Sequence, residues 1–178
     1  MQVTKPKGFK QWVEIYRLYQ KAFPNGERKP FSIIWDMYCK GKTDVWYCQC
    51  DGVFAGLATT INSEDVILLD YFAVAKKLRG KGKGTEFLAQ LLKKYEGKGV
   101  FGEIESTLDK EAVDLPIRQR RKRFYLDGGM KETGIEVMLF GVRMELLTYN
   151  CTIDFDKYKT FYADNYGKVA AKNVLPIK

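Results

Sequence analysis

Residues 66–90 read VILLDYFAVAKKLRGKGKGTEFLAQ, and the rest of the chain is organised around this stretch. Val66–Val74 is an almost unbroken apolar run rich in β-branched and aromatic residues, which predicts a buried strand. A loop dense in glycine and positive charge follows at Arg79–Thr85. From Thr85 onward, the apolar residues take the spacing of one helical face: Phe87, Leu88, Leu91, Leu92 and Tyr95. The stretch therefore predicts a strand, a basic glycine loop and a helix.

A strand, a glycine loop and a helix in this order form a binding site for an anion. The first N–H groups of a helix have no internal partner and carry partial positive charge. Glycine reaches positive φ without a Cβ clash, so the loop N–H groups can turn toward one point at Gly80, Gly82 and Gly84. Three cations add charge at the rim: Arg79, Lys81 and Lys83. We interpret the loop as a pyrophosphate site.

Two well-known phosphate-binding loops do not fit this spacing. A Walker loop requires a lysine and then a serine or threonine after its last glycine, whereas Thr85 follows Gly84 directly. The dinucleotide fingerprint requires a wider third spacing than these glycines offer, and no βαβ unit with a later acidic residue is evident. The pattern that remains is Arg79-x-x-Gly82-x-Gly84, placed between a strand and a helix.

Composition narrows the class of protein. The 178 residues are enough for one domain with a real core, and the net charge of +8 favours anionic ligands. No apolar run approaches the length of a membrane span, and the N-terminus lacks the layout of a signal peptide, so we expect a cytoplasmic protein without a membrane partner. The same charge also fits a soluble protein with a merely basic surface.

The absence of histidine from the sequence excludes several kinds of catalytic site. Ser-His-Asp and Cys-His sites and His-ligated metals all require this residue, and the chain contains none. The four cysteines, Cys39, Cys48, Cys50 and Cys151, form no C-x-x-C pair, so we expect reduced thiols and no metal. Proton transfer must then use Glu, Asp, Tyr, Lys, Cys or water.

The order of predicted elements indicates a single mixed domain over residues 1–178. Two helices precede a meander of strands over 44–74, in which Asp51-Gly52 predicts a type I′ hairpin. After the loop and helix come a strand at 100–106, a helix opened by Pro116, two strands over 135–149 and a C-terminal helix at about 154–166. We expect a loose tail beyond it. The fold class is therefore α/β (α+β mixed), a central mixed, mostly antiparallel sheet flanked by helices on both faces.

Two segments resemble the GNAT superfamily of N-acetyltransferases. Arg79-x-x-Gly82-x-Gly84 is similar to the acetyl-coenzyme-A loop, (Gln/Arg)-x-x-Gly-x-(Gly/Ala), of that family. Residues 123–130, RFYLDGGM, resemble the family's R-x-FY-x-x-x-G-(F/M) segment, on the helix beside the acetyl group. The resemblance covers a core of about residues 44–149, and the element order is also that of a GNAT-like fold.

The resemblance implies acetyl-coenzyme A as cosubstrate and no metal. In the family, the backbone of the strand before the loop pairs with the pantetheine arm, which here points to Phe72, Ala73 and Val74. The loop itself would bind the pyrophosphate through Arg79, Gly80, Lys81, Gly82, Lys83, Gly84 and Thr85, and Phe124 would lie beside the cosubstrate. The reaction implied is direct attack of an amine on the thioester.

Direct attack requires a base and a group that stabilises the leaving thiolate. Freeing an amine of pKa about 10.4 at pH 7 costs about 4–5 kcal/mol, and a carboxylate can take the proton directly or through water. The candidate carboxylates are Asp70, Glu103 and Glu105, and the sequence does not choose among them. Tyr125, by its family position, would stabilise the thiolate. Proton transfer from a phenol is uphill by about 2 kcal/mol, so we expect a hydrogen bond instead.

The basic run Arg118, Arg120, Arg121, Lys122 and Arg123 suggests nucleic-acid binding. No aromatic residue separates these cations, and on a helix they spread over more than half of its circumference, so we predict a solvated helix face instead, with one or two residues near the coenzyme phosphates.

We predict an acetyl-coenzyme-A-dependent N-acetyltransferase acting on a primary amine of a small molecule or peptide. A different acyl donor is left open, because the loop binds the pyrophosphate and does not contact the acyl end. The alternative is a non-catalytic module that binds coenzyme A or a polyanion. A homodimer is left open.

Overall fold

The computed structural model describes residues 1–26 and 28–177. The eight strands are β1 (Gln2–Thr4), β2 (Thr43–Cys50), β3 (Val53–Asn62), β4 (Val66–Val74), β5 (Gly99–Glu105), β6 (Lys131–Leu139), β7 (Val142–Tyr149) and β8 (Val174–Pro176). The six α-helices are α1 (Phe9–Ala22), α2 (Phe31–Cys39), α3 (Lys83–Lys93), α4 (Leu115–Asp127), α5 (Phe155–Tyr166) and α6 (Lys168–Ala171). The strands belong to one mostly antiparallel sheet, which confirms the predicted fold class.

The chain forms two compact units. The N-terminal unit comprises Met1–Asn62 and Leu69–Glu96, and its strand order is β1-β2-β3-β4. The C-terminal unit comprises Ser63–Leu68 and Gly97–Lys178, and its strand order is β5-β7-β6-β8. The first three residues of β4 belong to the C-terminal unit and the other six to the N-terminal unit. The expectation of a single domain over residues 1–178 stays a prediction.

The N-terminal unit carries helices on both faces of its strands. Side chains alternate along β4, so Tyr71 and Ala73 pack toward α1 while Phe72 contacts Phe87 of α3. Tyr71 lies 4.9 Å from the ring of Tyr19 on α1, measured between centroids. The buried core on the side of α1 and α2 consists of Ile15, Tyr19, Ile34, Val45, Tyr47, Leu57, Tyr71 and Ala73.

The hairpin that joins β2 to β3 confirms the predicted turn. Asp51 and Gly52 have φ of 52° and 74°, the two positive values that a type I′ turn requires. Thr43–Cys50 pairs antiparallel with Val53–Ile61, with an irregular register between Cys48 and Gln49. The apolar alternation of both strands therefore keeps one face toward α1.

The C-terminal unit repeats this two-sided arrangement on β5. Phe101 contacts Tyr158 and Phe161 of α5, whereas Ile104, of opposite parity, packs with Tyr125 of α4. Helix α5 begins after Asp154, whose carboxylate accepts from the N–H of Lys157 as an N-cap. The predicted C-terminal helix at about 154–166 is thereby confirmed.

Two sequence expectations about local structure are wrong. The expected loose tail forms α6 and β8, and β8 pairs with β6 through Val174 and Leu139, because Val174 is fully buried and anchors the strand. Helix α3 begins at Lys83 instead of Thr85, since Gly82 already serves as its N-cap. Gly84 therefore lies inside the first helical turn and does not have the positive φ that we expected of it.

Candidate coenzyme and acetyl-transfer site

The strand assigned to the pantetheine arm is packed tightly on its β3 side. Ala73 is 5% exposed, and the rings of Phe72 and Phe87 lie 4.6 Å apart between centroids. A Cβ at Gly56 on β3 would lie 2.5 Å from the carbonyl oxygen of Ala73 and 3.2 Å from the Phe87 ring. Only glycine at position 56 allows β3 and β4 to approach this closely, so the backbone of Phe72–Val74 has a defined position.

The loop after β4 has the backbone geometry that an anion site requires. A short 3₁₀ turn at Lys76–Leu78 follows the strand, and then Gly80 and Gly82 both have φ of 70°. A Cβ at either glycine would meet no atom within 4 Å, so the space in front of them is open. Glycine is required there by the left-handed backbone, not by crowding.

Gly82 leaves the N-terminus of α3 without a side-chain cap. The first helical hydrogen bond runs from the Glu86 N–H to the Gly82 carbonyl, at 3.1 Å. The N–H groups of Lys83, Gly84 and Thr85 precede that bond and belong to the first turn, where the helix dipole places positive charge. A phosphate accepts hydrogen bonds from such groups. These residues therefore fit the pyrophosphate that the loop spacing predicts.

The cations around this loop are held to different degrees. The Arg79 guanidinium donates from Nε to the carbonyl of Val74 at 2.9 Å. Lys83 pairs with Glu86 at 3.1 Å, and this hydrogen bond raises the pKa of Lys83 and lowers that of Glu86. Lys81 is exposed. All three predicted cations therefore lie at the loop, and Arg79 also ties it back to the end of β4.

Asp70, the first candidate base, lies on β4 two residues before Phe72. Its side chain is 8% exposed and accepts from Lys29 Nζ at 2.6 Å. The Lys29 Nζ also lies 5.5 Å from the centroid of the Tyr71 ring. The Asp70 carboxylate is thus paired with a primary amine supplied by the segment between α1 and α2.

The other two candidate carboxylates lie on β5 and have different partners. Glu103 Oε1 accepts from the hydroxyl groups of Tyr158 and Tyr162, both at 2.8 Å. Glu105 accepts from Arg121 at 2.5 Å and lies 3.4 Å from an Arg118 nitrogen. Glu103 is therefore held by two phenols of α5, and Glu105 by two guanidinium groups of α4.

Tyr125 is half-buried on α4 in an apolar cluster. It packs against Ile104, Met130 and Leu147, and its ring lies 5.0 Å from that of Phe124. Burial raises the pKa of the Tyr125 phenol to about 12, although the nearby Arg121 guanidinium acts in the opposite direction. The hydroxyl therefore stays protonated at neutral pH and is able to donate a hydrogen bond.

Charge pairing on α4 was missed by sequence reasoning. The basic run predicts a solvated face, yet the side chains of Arg118 and Lys122 are each only 14% exposed. Lys122 pairs with Glu145 at 2.5 Å and with Glu132 at 3.1 Å. The interpretation as a solvated face is wrong for these two residues, because they pair with carboxylates of β5, β6 and β7. No local sequence pattern predicts these ion pairs, since the two residues of each pair are distant in sequence.

A family model for the GNAT acetyltransferases matches residues 12–126, which include the loop, β4, β5 and Tyr125. The match spans more than half of the chain and both units. The chain belongs to the GNAT acetyltransferase family. The resemblance inferred from the loop and the Tyr125 segment is thereby confirmed. A search among curated proteins gives no significant match.

Solved structures of GNAT proteins share this fold. A GNAT-family protein from Bacteroides thetaiotaomicron superposes with a TM-score of 0.78 at 16% identity, covering 96% of this chain and 99% of its own. An acetyltransferase from Bacillus subtilis in complex with coenzyme A gives 0.59 at 14% identity, covering 84% and 97%. A spermidine N-acetyltransferase chimera, derived in part from Vibrio cholerae, gives 0.62 at 14% identity, covering 83% and 95%.

Two negative observations concern only residues 1–26 and 28–177. Within that range, none of the helices has the length and apolar character needed to cross a membrane. The same range contains no group of three or more Cys, Asp or Glu residues arranged to hold a metal ion.

Proposed function

We propose that the protein is an acetyl-coenzyme-A-dependent N-acetyltransferase that acts on a primary amine of a small molecule or peptide. The observation that carries the proposal is the open N-terminus of α3, with Gly80 and Gly82 in the left-handed conformation directly after β4. Family membership supports acetyl transfer. Acetyl-coenzyme A, when bound, supplies the thioester whose acetyl group is transferred.

Three groups of residues would hold the cosubstrate. The amides of Lys83, Gly84 and Thr85 would donate to the pyrophosphate, with Gly80 and Gly82 leaving space for it. Arg79 and Lys81 would add charge at the rim, and the backbone of Phe72–Val74 would pair with the pantetheine arm. The Bacillus subtilis acetyltransferase of similar fold was solved in complex with coenzyme A, which supports coenzyme A as the ligand.

Asp70 is our candidate for the group that removes the proton from the attacking amine. It lies on the same strand as the proposed pantetheine contacts, and its partner is already an ammonium group. Glu103 and Glu105 are engaged by pairs of phenols and of guanidinium groups.

Tyr125 would stabilise the leaving thiolate by donating a hydrogen bond to it, and the proton would stay on the tyrosine. Transfer of a proton from a phenol of pKa about 12 to a thiolate of pKa about 8.5 is uphill by about 5 kcal/mol. The raised pKa therefore makes full transfer less favourable than the sequence alone suggests. A donor that is held toward the developing charge nevertheless stabilises the transition state, because its hydrogen bond strengthens as the charge grows.

Family membership and the acidic residue proposed as base both support an amine as the acceptor. The chimeric relative acts on spermidine, a polyamine, which supports amine acceptors in general.

All four cysteines are free thiols, which supports action in a reducing compartment such as the cytoplasm.

Calorimetric titration with acetyl-coenzyme A tests the proposal, using Gly82→Asp beside the wild type. The substitution puts a carboxylate where the pyrophosphate would bind, so we expect micromolar binding by the wild type and none by the variant. Gly41→Asp is the matched control, because Gly41 has φ of 71°, open surroundings and a position at the end of α2. Equal loss of binding in both variants, or no binding by the folded wild type, would contradict the proposal.

A further inference from the structure

Lys29 is attached to β4 and α1 through all of its polar groups. Its backbone N–H donates to the Tyr71 hydroxyl at 3.0 Å, and its carbonyl accepts from the Tyr19 hydroxyl at 2.9 Å. Its Nζ donates to Asp70 at 2.6 Å. The backbone anchors are independent of the charge, so they fix the start of the side chain and direct the amine to Asp70.

The direction of β4 places this amine at one particular end of the strand. The anion loop follows the C-terminal end of β4, so an arm that runs from the loop along the strand passes Val74 first and Phe72 last. Asp70 comes next along that path, about 7 Å beyond Phe72 at the rise of a strand. The Asp70 carboxylate and the Lys29 amine therefore lie toward the acyl end of the proposed cosubstrate site.

The chemistry at that position is that of a primary amine acceptor. The primary amine of Lys29 contacts the Asp70 carboxylate. The side chain of Asp70 is 8% exposed, and that of Lys29 is 27% exposed. We propose that Lys29 is an internal acceptor, which the protein acetylates in cis; this inference rests on the proposed function.

Acetylation of Lys29 begins with the loss of a proton from its ammonium group. Asp70 takes one proton from the Lys29 ammonium, and the freed nitrogen forms a bond to the carbonyl carbon of the acetyl thioester. The carbon–sulfur bond breaks, and coenzyme A leaves as the thiolate, which takes up the second proton released by the acylated nitrogen, while Asp70 passes the first proton to solvent. The products are an amide at Lys29, free coenzyme A and one proton, with no oxidant or reductant involved. The amide carries no charge, so the product loses the Lys29–Asp70 ion pair.

Lys40 is a matched internal control for this test. It pairs with Asp36 at 2.7 Å, close to the Lys29–Asp70 distance, but this pair is exposed at the C-terminal end of α2, at 62% for the lysine and 59% for the aspartate. Both lysines therefore have a carboxylate partner, but only the partner of Lys29 lies on β4. A general reactivity of ion-paired lysines would acetylate Lys40 as well.

The experiment incubates the purified full chain with acetyl-coenzyme A and no added amine, followed by intact mass and peptide mapping. We expect Lys29 to gain one acetyl group at least about tenfold faster than Lys40, a barrier difference of about 1.4 kcal/mol. The rate constant should not depend on protein concentration, because amine and donor are held by one chain. Asp70→Asn should remove the preference, and Lys29→Arg should remove the adduct while keeping the ion pair.

A second readout does not depend on turnover. Lysines are reductively methylated with and without saturating desulfo-coenzyme A, which has no thiol. Protection of Lys29 without protection of Lys40 is the result expected if the ligand arm ends at Asp70.

The outcomes separate this inference from the proposed function. If calorimetry shows acetyl-coenzyme A binding but Lys29 is neither protected nor acetylated faster than Lys40, the internal acceptor is wrong and the cosubstrate site stands. A rate that rises with protein concentration equally overturns acetylation in cis. If the wild type binds no acetyl-coenzyme A, both proposals fail together.

Discussion

At the scale of single residues, the surroundings of Tyr125 determine how it can act. An exposed tyrosine of ordinary pKa could exchange its proton with a thiolate at a cost of about 2 kcal/mol. Burial beside Ile104, Met130 and Leu147 raises the Tyr125 pKa to about 12 instead. The hydroxyl thereby keeps its proton at neutral pH and is available as a hydrogen-bond donor.

We predict that Tyr125→Phe lowers the rate of acetyl transfer by about 10²–10³-fold, the usual effect of removing one such donor. The affinity for acetyl-coenzyme A should stay within about twofold, because the ring keeps its packing. The measurement is thiol release with a primary amine found by screening, together with calorimetry. Tyr149→Phe is the control, since Tyr149 packs against the same cluster and has no assigned role. Equal rates for the two variants would remove Tyr125 from the mechanism.

At the scale of elements, α4 is unusual because none of its residues is fully buried. A helix without a continuous apolar stripe cannot be held to a sheet by apolar burial alone. Tyr125 and Leu126, near its C-terminal end, pack on the sheet. Arg118, Arg121 and Lys122, which precede them, form ion pairs. These pairs hold the helix that carries Tyr125.

Glu145 is the most buried partner of α4, at 7% exposure, and also accepts from the N–H and hydroxyl of Thr107. We predict that Glu145→Gln lowers the free energy of unfolding by about 2–3 kcal/mol, because it leaves the Lys122 charge poorly compensated. Asp36→Asn, which breaks the exposed pair with Lys40, should cost less than about 1 kcal/mol. Urea unfolding of both variants measures the difference, and similar values would show that the ion pairs do not hold α4.

At the scale of the whole molecule, the lack of histidine shapes the response to pH. Histidine is the side chain that ordinarily titrates between about pH 5.5 and 8. Because the chain has none, the free energy of unfolding should vary little over this range. The acidic range differs. Hydrogen bonds from Arg143 lower the pKa of Glu136. Burial disfavours the charge of Glu145, but hydrogen bonds from Lys122 and Thr107 outweigh it and lower its pKa too.

A carboxyl with a lower pKa in the folded protein stabilises the fold above its unfolded value, about 4.3, and loses that contribution as pH falls through the folded value. We therefore predict a nearly constant melting temperature from about pH 5.5 to 8 and a steep fall below about pH 4.3. The double variant with Glu136→Gln and Glu145→Gln should be less stable at pH 7, and its melting temperature should fall less steeply below about pH 4.3. Differential scanning calorimetry over this range is the measurement, and an unchanged slope in the double variant would contradict the assignment.

Local sequence was sufficient to predict the strand Val66–Val74, the basic glycine loop and the family, because periodicity, positive φ and short motifs are local properties of the chain. Which charged side chains meet depends instead on how the chain folds. Lys29 reaches Asp70 across 41 positions, and Lys122 reaches Glu145 across 23. Such pairs depend on strand order and on how deeply each side chain is buried. The candidate site was therefore predictable in its backbone, whereas the partners of its acids and bases were not.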